Sequence, residues 1–224
     1  MKNLALLFLL GVIGYSQVAE HANLEYKTKD QRDRIARQLL DPVRNERDRP
    51  REIVDQIDLQ PGESVADVGT GAGFMLPYLS RAVGDTGTVY AEDIYQDFLD
   101  QAMTRTFTLE LKNIKFILGT DKDPNLPAST LSGVLMLDVY NYLDYPEAIL
   151  GHVRDSLVSD GKLVIVDYYK RRGAMPKSDP DRPLDIIRLD ENDLINEVTA
   201  NGFRVKDKHE LVPKSQYIVT FVKK

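Results

Sequence analysis

Val65-Ala66-Asp67-Val68-Gly69-Thr70-Gly71-Ala72-Gly73-Phe74 is a short apolar run that ends acidic and spills into three glycines at alternate positions. Glycine takes positive φ without penalty and lets a ligand lie against the main chain, so Gly-x-Gly-x-Gly after a strand is a binding turn. The helix expected next, over 74–83, would aim its unpaired N–H groups at that ligand. The dinucleotide fingerprint Gly-x-Gly-x-x-Gly spaces its third glycine one residue further on. Here Phe74 stands at that place, which argues against a nicotinamide dehydrogenase. A loop this tight suits a nucleoside ligand with an amino-acid tail and no pyrophosphate. Asp67 can sit near an ammonium, and the N–H groups of Gly69, Gly71 and Gly73 can meet a carboxylate.

Outward from the loop, strands and helices alternate. Strands are expected over 64–68, 87–94, 114–118, 133–138 and 162–168, with helices over 96–111 and 145–157. Residues 170–183 read as a basic, glycine- and proline-containing loop over the site. A helix over 190–201 opens with an Asp190-to-Asp193 cap and closes at Gly202. Two antiparallel strands, 203–210 and 216–222, finish the chain. The pattern implies an α/β fold: a Rossmann-like, seven-stranded, mostly parallel sheet with an antiparallel C-terminal hairpin and helices on both faces.

The chain has 224 residues, 42% of them hydrophobic and 29% charged, which fits one α/β domain. Its net charge of -6 repels phosphate backbones, so no nucleic-acid partner is expected. There is no cysteine, which removes disulfides, thiolate nucleophiles and thiolate metal sites, and His21, His152 and His209 are too scattered for a metal cluster. Met1-Lys2-Asn3, the apolar run over 4–13 and the small residues Gly14 and Ser16 have the layout of a secretory signal peptide, residues 1–16, and imply export to the periplasm or beyond, or membrane association if the segment is not cleaved. That run is shorter than the about 20 residues a membrane span needs. Residues 17–48 form a polar N-terminal helical extension, with one helix over 31–40 and a second, over 50–57, opening the main domain, 49–224. The basic residues between Lys27 and Arg51 read as a solvated face paired at i,i+4 with Asp30, Asp33, Glu46 and Asp48.

Further carboxylates fall at strand ends, where open α/β sheets bind ligands. Asp93 closes the second strand about twenty residues after the glycine loop, in position to accept ribose hydroxyls. Alternation along the strand should turn its neighbour Glu92 to the other face. Ile94 offers an apolar wall for a base, and Asp121 after the third strand can accept from an adenine amine. The fourth strand ends in Asp138-Val139-Tyr140-Asn141-Tyr142, where Asp138, Tyr140 and Asn141, with Tyr142 beside them, offer a carboxylate, phenols and an amide for positioning an acceptor. Tyr168 and Tyr169 are a less specific pair at the end of the fifth.

The glycine loop, Leu59-Gln60-Pro61-Gly62-Glu63-Ser64, Gly87-Thr88-Val89-Tyr90-Ala91 and Leu157-Val158-Ser159-Asp160-Gly161-Lys162-Leu163 together resemble the class I S-adenosylmethionine-dependent methyltransferases. Gly119-Thr120-Asp121-Lys122-Asp123-Pro124, Leu137-Asp138-Val139-Tyr140 and Gly202-Phe203 resemble a group of small bacterial members. The resemblance covers residues 50–222. It implies S-adenosylmethionine held by Gly69, Gly71, Gly73 and Asp93 with Asp67 and Asp121 assisting, but no known acceptor; the leading reading is a methyltransferase acting on a small molecule. Two departures stand out. Asn141-Tyr142 replaces a histidine pair common in relatives, and Ser159-Asp160-Gly161 replaces a Pro-Gly-Gly turn. An exported binding protein that keeps the fold without turnover is the alternative reading.

Overall fold

A computed structural model describes residues 19–175 and 178–224. The signal-like segment, 1–16, lies outside them. Seven strands form one sheet in the order β3-β2-β1-β4-β5-β7-β6. They are β1 (Ser64–Val68), β2 (Thr88–Asp93), β3 (Ile114–Leu118), β4 (Leu131–Leu137), β5 (Leu157–Tyr168), β6 (Phe203–Val212) and β7 (Gln216–Lys223). The first five run parallel. β7 is antiparallel to both β5 and β6. The expected architecture is therefore present.

The period of two in the strands fills two cores. Along β5, Leu163 and Ile165 join a cluster with Leu150, Val153, Val198 and Phe203. The alternate residues Val164 and Val166 join Ile53, Ile57, Leu76 and Leu79 on the other face. Phe203 comes from β6, and the helices that supply the other packing side chains are α3 (Pro50–Ile57), α4 (Leu76–Val83), α6 (Pro146–Ser156) and α8 (Glu191–Ala200). Proline at the start of α3, α4 and α6 suits a position whose N–H has no helical partner. Asp190 caps α8 by accepting from the Asp193 amide at 3.0 Å, as its spacing implies.

Several boundaries differ from expectation. α4 begins at Leu76, not at 74, because Phe74 and Met75 are buried in the turn before it. β4 and β5 start early, since Leu131 pairs with Leu157 across a bulge and draws the 158–161 turn into the strand. The loop over 170–183 ends in a short helix, α7 (Arg182–Ile186). Before the sheet, α1 (Lys29–Leu39) opens with a complete capping box from Thr28 to Gln31, and α2 (Arg44–Arg47) follows. α5 (Gln96–Thr108) covers the β2–β3 end of the sheet. No helix among the described residues is long and apolar enough to cross a membrane.

Candidate active site

Between β1 and β4 the strand order reverses, and in open α/β sheets ligands bind in the crevice at such a point. A cavity of about 780 Å³ lies there, walled by Gly69 and Gly71 of the loop, Glu92 and Asp93 of β2, Ile94, Thr120, Asp121, Asp138, Tyr142 and Tyr168. Ligand pockets run to about 300–1,000 Å³. Residues 23–47 supply much of the remaining wall, including Tyr26, Leu39, Arg44 and Arg47.

The loop is shaped by left-handed backbone. Gly69 has φ 70° and Gly71 φ 54°. A Cβ at Gly69 would come within 2.5 Å of Val139 Cγ2, and one at Gly71 within 2.7 Å of Leu39 Cδ1. Gly73 serves packing instead: it does not reach the cavity, and its Cβ would meet Leu76 and Ala102.

The loop amides meet the protein's own carboxylates, where the sequence suggested a ligand carboxylate. The Gly71 amide donates to Asp93 at 2.9 Å, and the Gly69 amide donates to Glu92 at 3.2 Å. The alternation expected of β2 therefore fails at its end, where both carboxylates face the loop. Asp93 also accepts from the Tyr95 amide at 3.0 Å. A carboxylate offers about four lone-pair sites, so Asp93 keeps acceptor capacity for ribose hydroxyls. Asp67 is buried off the cavity wall and accepts from the Thr70 hydroxyl at 2.7 Å, which ties the loop from below. Burial pushes the Asp67 carboxyl up to about 7 and Glu92 up to about 8, the latter helped by the charge of Asp93. Asp93 itself is raised to about 6 by burial against the pull of its amide donors.

At the end of β4 the three candidates part company. Asp138 reaches the cavity from a left-handed position, φ 57°. Its carboxylate accepts from Gln216 at 2.7 Å and from Arg44 at 3.4 Å. Burial raises it to about 7, with Arg44 pulling the other way. Tyr140 and Asn141 point into the core. The Tyr140 hydroxyl donates to Glu197 at 2.7 Å, beside the Arg188–Glu197 ion pair, and Asn141 Oδ1 accepts from the Leu189 amide at 2.8 Å. Strand alternation does not extend into the 3₁₀ turn over Tyr140–Tyr142, and it is Tyr142 that faces the cavity. Ile94 is half exposed on the wall, and Asp121 lies on the exposed rim.

The N-terminal wall is the part that sequence reasoning misses. Lys29 and Asp33 form the expected surface pair, but Arg44 and Asp48 do not belong to a solvated face. They are buried at 2.5 Å, with Arg47 also on Asp48 and the Arg44 guanidinium 4.3 Å over the Phe74 ring. Arg32 reaches Asp97 of α5 at 2.8 Å, and Asn23 donates to the Tyr142 carbonyl at 3.0 Å. The interleaving of Arg44 and Asp48 at i,i+4 is the one signal present, and on sequence it cannot be told from a surface pair.

A family model described as a methyltransferase domain matches residues 66–165. Among characterised proteins, aklanonic acid methyltransferase DauC of Streptomyces sp. (strain C5) is 27% identical over 133 residues, 58% of this chain and 60% of that one. The tRNA (adenine(58)-N(1))-methyltransferase TrmI of Thermus thermophilus is 34% identical over 86 residues, 38% of this chain and 33% of that one. The chain thus spans less than two thirds of either relative. A solved S-adenosylmethionine-dependent methyltransferase from Aquifex aeolicus superposes with TM-score 0.76 at 29% identity, covering 84% of this chain and 97% of that one. The [4+2]-cyclase SpnF shares the fold at TM-score 0.67 and 14% identity. A likeness of that kind fixes architecture and leaves the reaction to the site. With that family match, the Aquifex likeness and a glycine turn facing Asp93 across the sheet crevice, residues 66–165 are a methyltransferase domain and the chain is similar in fold to the S-adenosylmethionine-dependent methyltransferases.

Proposed function

We propose that the protein transfers a methyl group from S-adenosylmethionine to a small-molecule acceptor. The observation that carries this reading is one continuous cavity that joins the glycine turn and Asp93 to Asp138 and Tyr142. The residues present fit the cofactor: the turn leaves no room for a Cβ, and Asp93 retains free acceptor sites for a ribose. Gly69, Gly71 and Asp93 would hold the nucleoside, Ile94 would wall the adenine and Asp121 would accept from its amine. When bound, the cofactor supplies an electrophilic methyl carbon, and the acceptor's lone pair forms the new bond as the carbon–sulfur bond breaks with its electron pair passing to sulfur.

The chain's own part is alignment in a water-poor site, the main requirement of an in-line displacement at carbon. Asp138 is the group placed to orient an acceptor and take its proton. Residues 23–47 cover the cavity, which favours an acceptor small enough to be enclosed over a folded macromolecule. Titration calorimetry with S-adenosylmethionine and S-adenosylhomocysteine tests the cofactor, and transfer of a radiolabelled methyl group into small-molecule extracts tests turnover. Absence of binding by both nucleosides would overturn the reading. Binding with no transfer to any extract would favour the non-catalytic binding protein.

A further inference from the structure

The wall remote from the glycine turn has a chemistry of its own. Tyr26 lies edge-on to Tyr142, ring centroids 5.6 Å apart, and stacks on Tyr95 at 6.1 Å. Burial holds the Tyr26 phenol above its ordinary range, and the charges of Glu25, Asp93 and Asp138 add to the effect, which puts that ring within electrostatic reach of the cavity carboxylates. Burial raises Tyr168 in the same way, with Asp138 the leading charge. Aromatic faces beside a carboxylate attract cations.

The wall's guanidiniums are mostly committed. Arg44 and Arg47 are bound to Asp48, and Arg182 to Glu25. Carboxylates outnumber guanidiniums along the whole wall by seven to four. An oxygen nucleophile that gave its proton to Asp138 would become an oxyanion among the wall's remaining carboxylates, against like charge. A nitrogen nucleophile arrives as an ammonium ion and leaves as one.

We propose that the acceptor is a small amine, received as a cation beside the paired rings of Tyr26 and Tyr142, whose nitrogen gives its proton to the Asp138 carboxylate. This rests on the methyl-transfer reading above. The ammonium N–H bond breaks with its electron pair left on nitrogen, and the proton bonds to an Asp138 oxygen. That lone pair then forms the nitrogen–carbon bond as the methyl group leaves sulfur. The product is the methylated ammonium ion and neutral S-adenosylhomocysteine, and Asp138 returns its proton to water. Arg44 at 3.4 Å and Gln216 at 2.7 Å hold the carboxylate in place without consuming all its acceptor sites.

The test compares two nucleosides by calorimetry on the full chain at pH 8. S-Adenosylhomocysteine carries a neutral sulfur, whereas sinefungin carries a primary amine where the methyl group would be. Sinefungin is expected to bind about tenfold more tightly, the order of one charge-assisted hydrogen bond, and Asp138→Asn to bring the ratio near one. Equal binding of the two by the unaltered protein would overturn the amine assignment while leaving the cofactor site intact. Failure of both to bind would overturn the methyl-transfer reading itself. A second readout supplies radiolabelled S-adenosylmethionine with small amines and their hydroxyl counterparts in equal amounts. Label in the amines is the expected result, and label confined to the hydroxyl compounds would overturn the proposal.

Discussion

The two walls of the cavity are built by opposite means. The glycine turn is a wall of backbone: it hangs from β1, its amides are tied to Glu92 and Asp93, and Thr70 is tied to Asp67. The wall from residues 19–48 is a wall of side chains. Its fully buried apolar residues are only Ala19, Ala22 and Ala36, and beside two small apolar clusters, around Phe98 and Ile187, its attachments are ion pairs and hydrogen bonds such as Arg32–Asp97, Arg182–Glu25 and Asn23 to the Tyr142 carbonyl. Apolar burial is the main source of stability, so the first wall should unfold with the core and the second should open by itself. The division suits a cofactor site that stays fixed and an acceptor side that admits and releases molecules.

The largest break in that comparison should come at Gly69. Alanine there must hold φ 70° and place its Cβ 2.5 Å from Val139, a branched side chain with little freedom to move. Left-handed strain costs about 1–2 kcal/mol and overpacking about 1–3 kcal/mol. Gly69→Ala is expected to lower stability by about 2–5 kcal/mol and abolish nucleoside binding, as read by chemical denaturation and calorimetry. Gly71→Ala should be milder, because the atom in its way is Leu39 Cδ1, on the movable wall. Equal losses for the two would show that both walls are equally rigid.

Next comes Arg44. Its side chain is 5% exposed and its partner Asp48 is 0% exposed. Removing one member of a buried pair costs about 3–5 kcal/mol when the other is stranded. Asp48 keeps Arg47, so Arg44→Ala should cost less, about 2–3 kcal/mol by denaturation, at or below the lower limit of that range. A cost below about 1 kcal/mol would mean that the N-terminal wall is a surface feature after all.

How much of this is legible in the sequence follows from the same contrast. The strand, glycine turn and helix can be read because their signals are local: an apolar run, residues that tolerate positive φ and a change of period. Asp93 is found by its distance from the turn. The N-terminal wall is invisible because burial of Arg44 and Asp48 is a tertiary fact, and charged residues at i,i+4 look the same on a surface helix. Tyr140 and Asn141 are misplaced for another reason. The chain leaves β4 through a 3₁₀ turn in which Asp138 takes a left-handed conformation, so facing cannot be counted in twos beyond Leu137. The same counting turns Glu92 away from the loop, yet the Gly69 amide draws its carboxylate there.

The acids around the turn give the fixed wall a pH signature. In the folded protein Asp67, Glu92 and Asp138 titrate at about 7, 8 and 7. Unfolded, such groups titrate near 4, by the usual reference of about 3.9 for Asp and about 4.3 for Glu. Between those limits the folded chain holds protons that the unfolded chain has released. Their stabilising effect is complete below about pH 4 and is lost as pH rises through about 7 and 8. Melting temperature without ligand should therefore fall from about pH 4 to about pH 8, by about 10 °C or more over the upper half of that interval, given about 1.4 kcal/mol for each tenfold change in proton affinity and about 2–4 °C per kcal/mol. Glu92→Gln should flatten the slope. A rise over that interval would mean that cations, not burial, dominate these carboxylates.

The smallest effect on stability should be the most informative about the movable wall. Arg32 binds Asp97 at 2.8 Å, donates to the Tyr26 carbonyl at 2.6 Å and lies 4.7 Å from the Tyr95 ring centre. Both charged side chains keep some solvent contact, so Arg32→Gln should cost no more than about 1 kcal/mol of global stability, and less in high salt. Its local effect should be larger, since the contact fixes Tyr26 at the centre of the aromatic wall. Hydrogen exchange is expected to quicken across α1 and the turn holding Tyr26 while β1 and β4 keep their protection. Uniform loss of protection would join the two walls into one cooperative unit, and the entry of an acceptor would then require motion elsewhere.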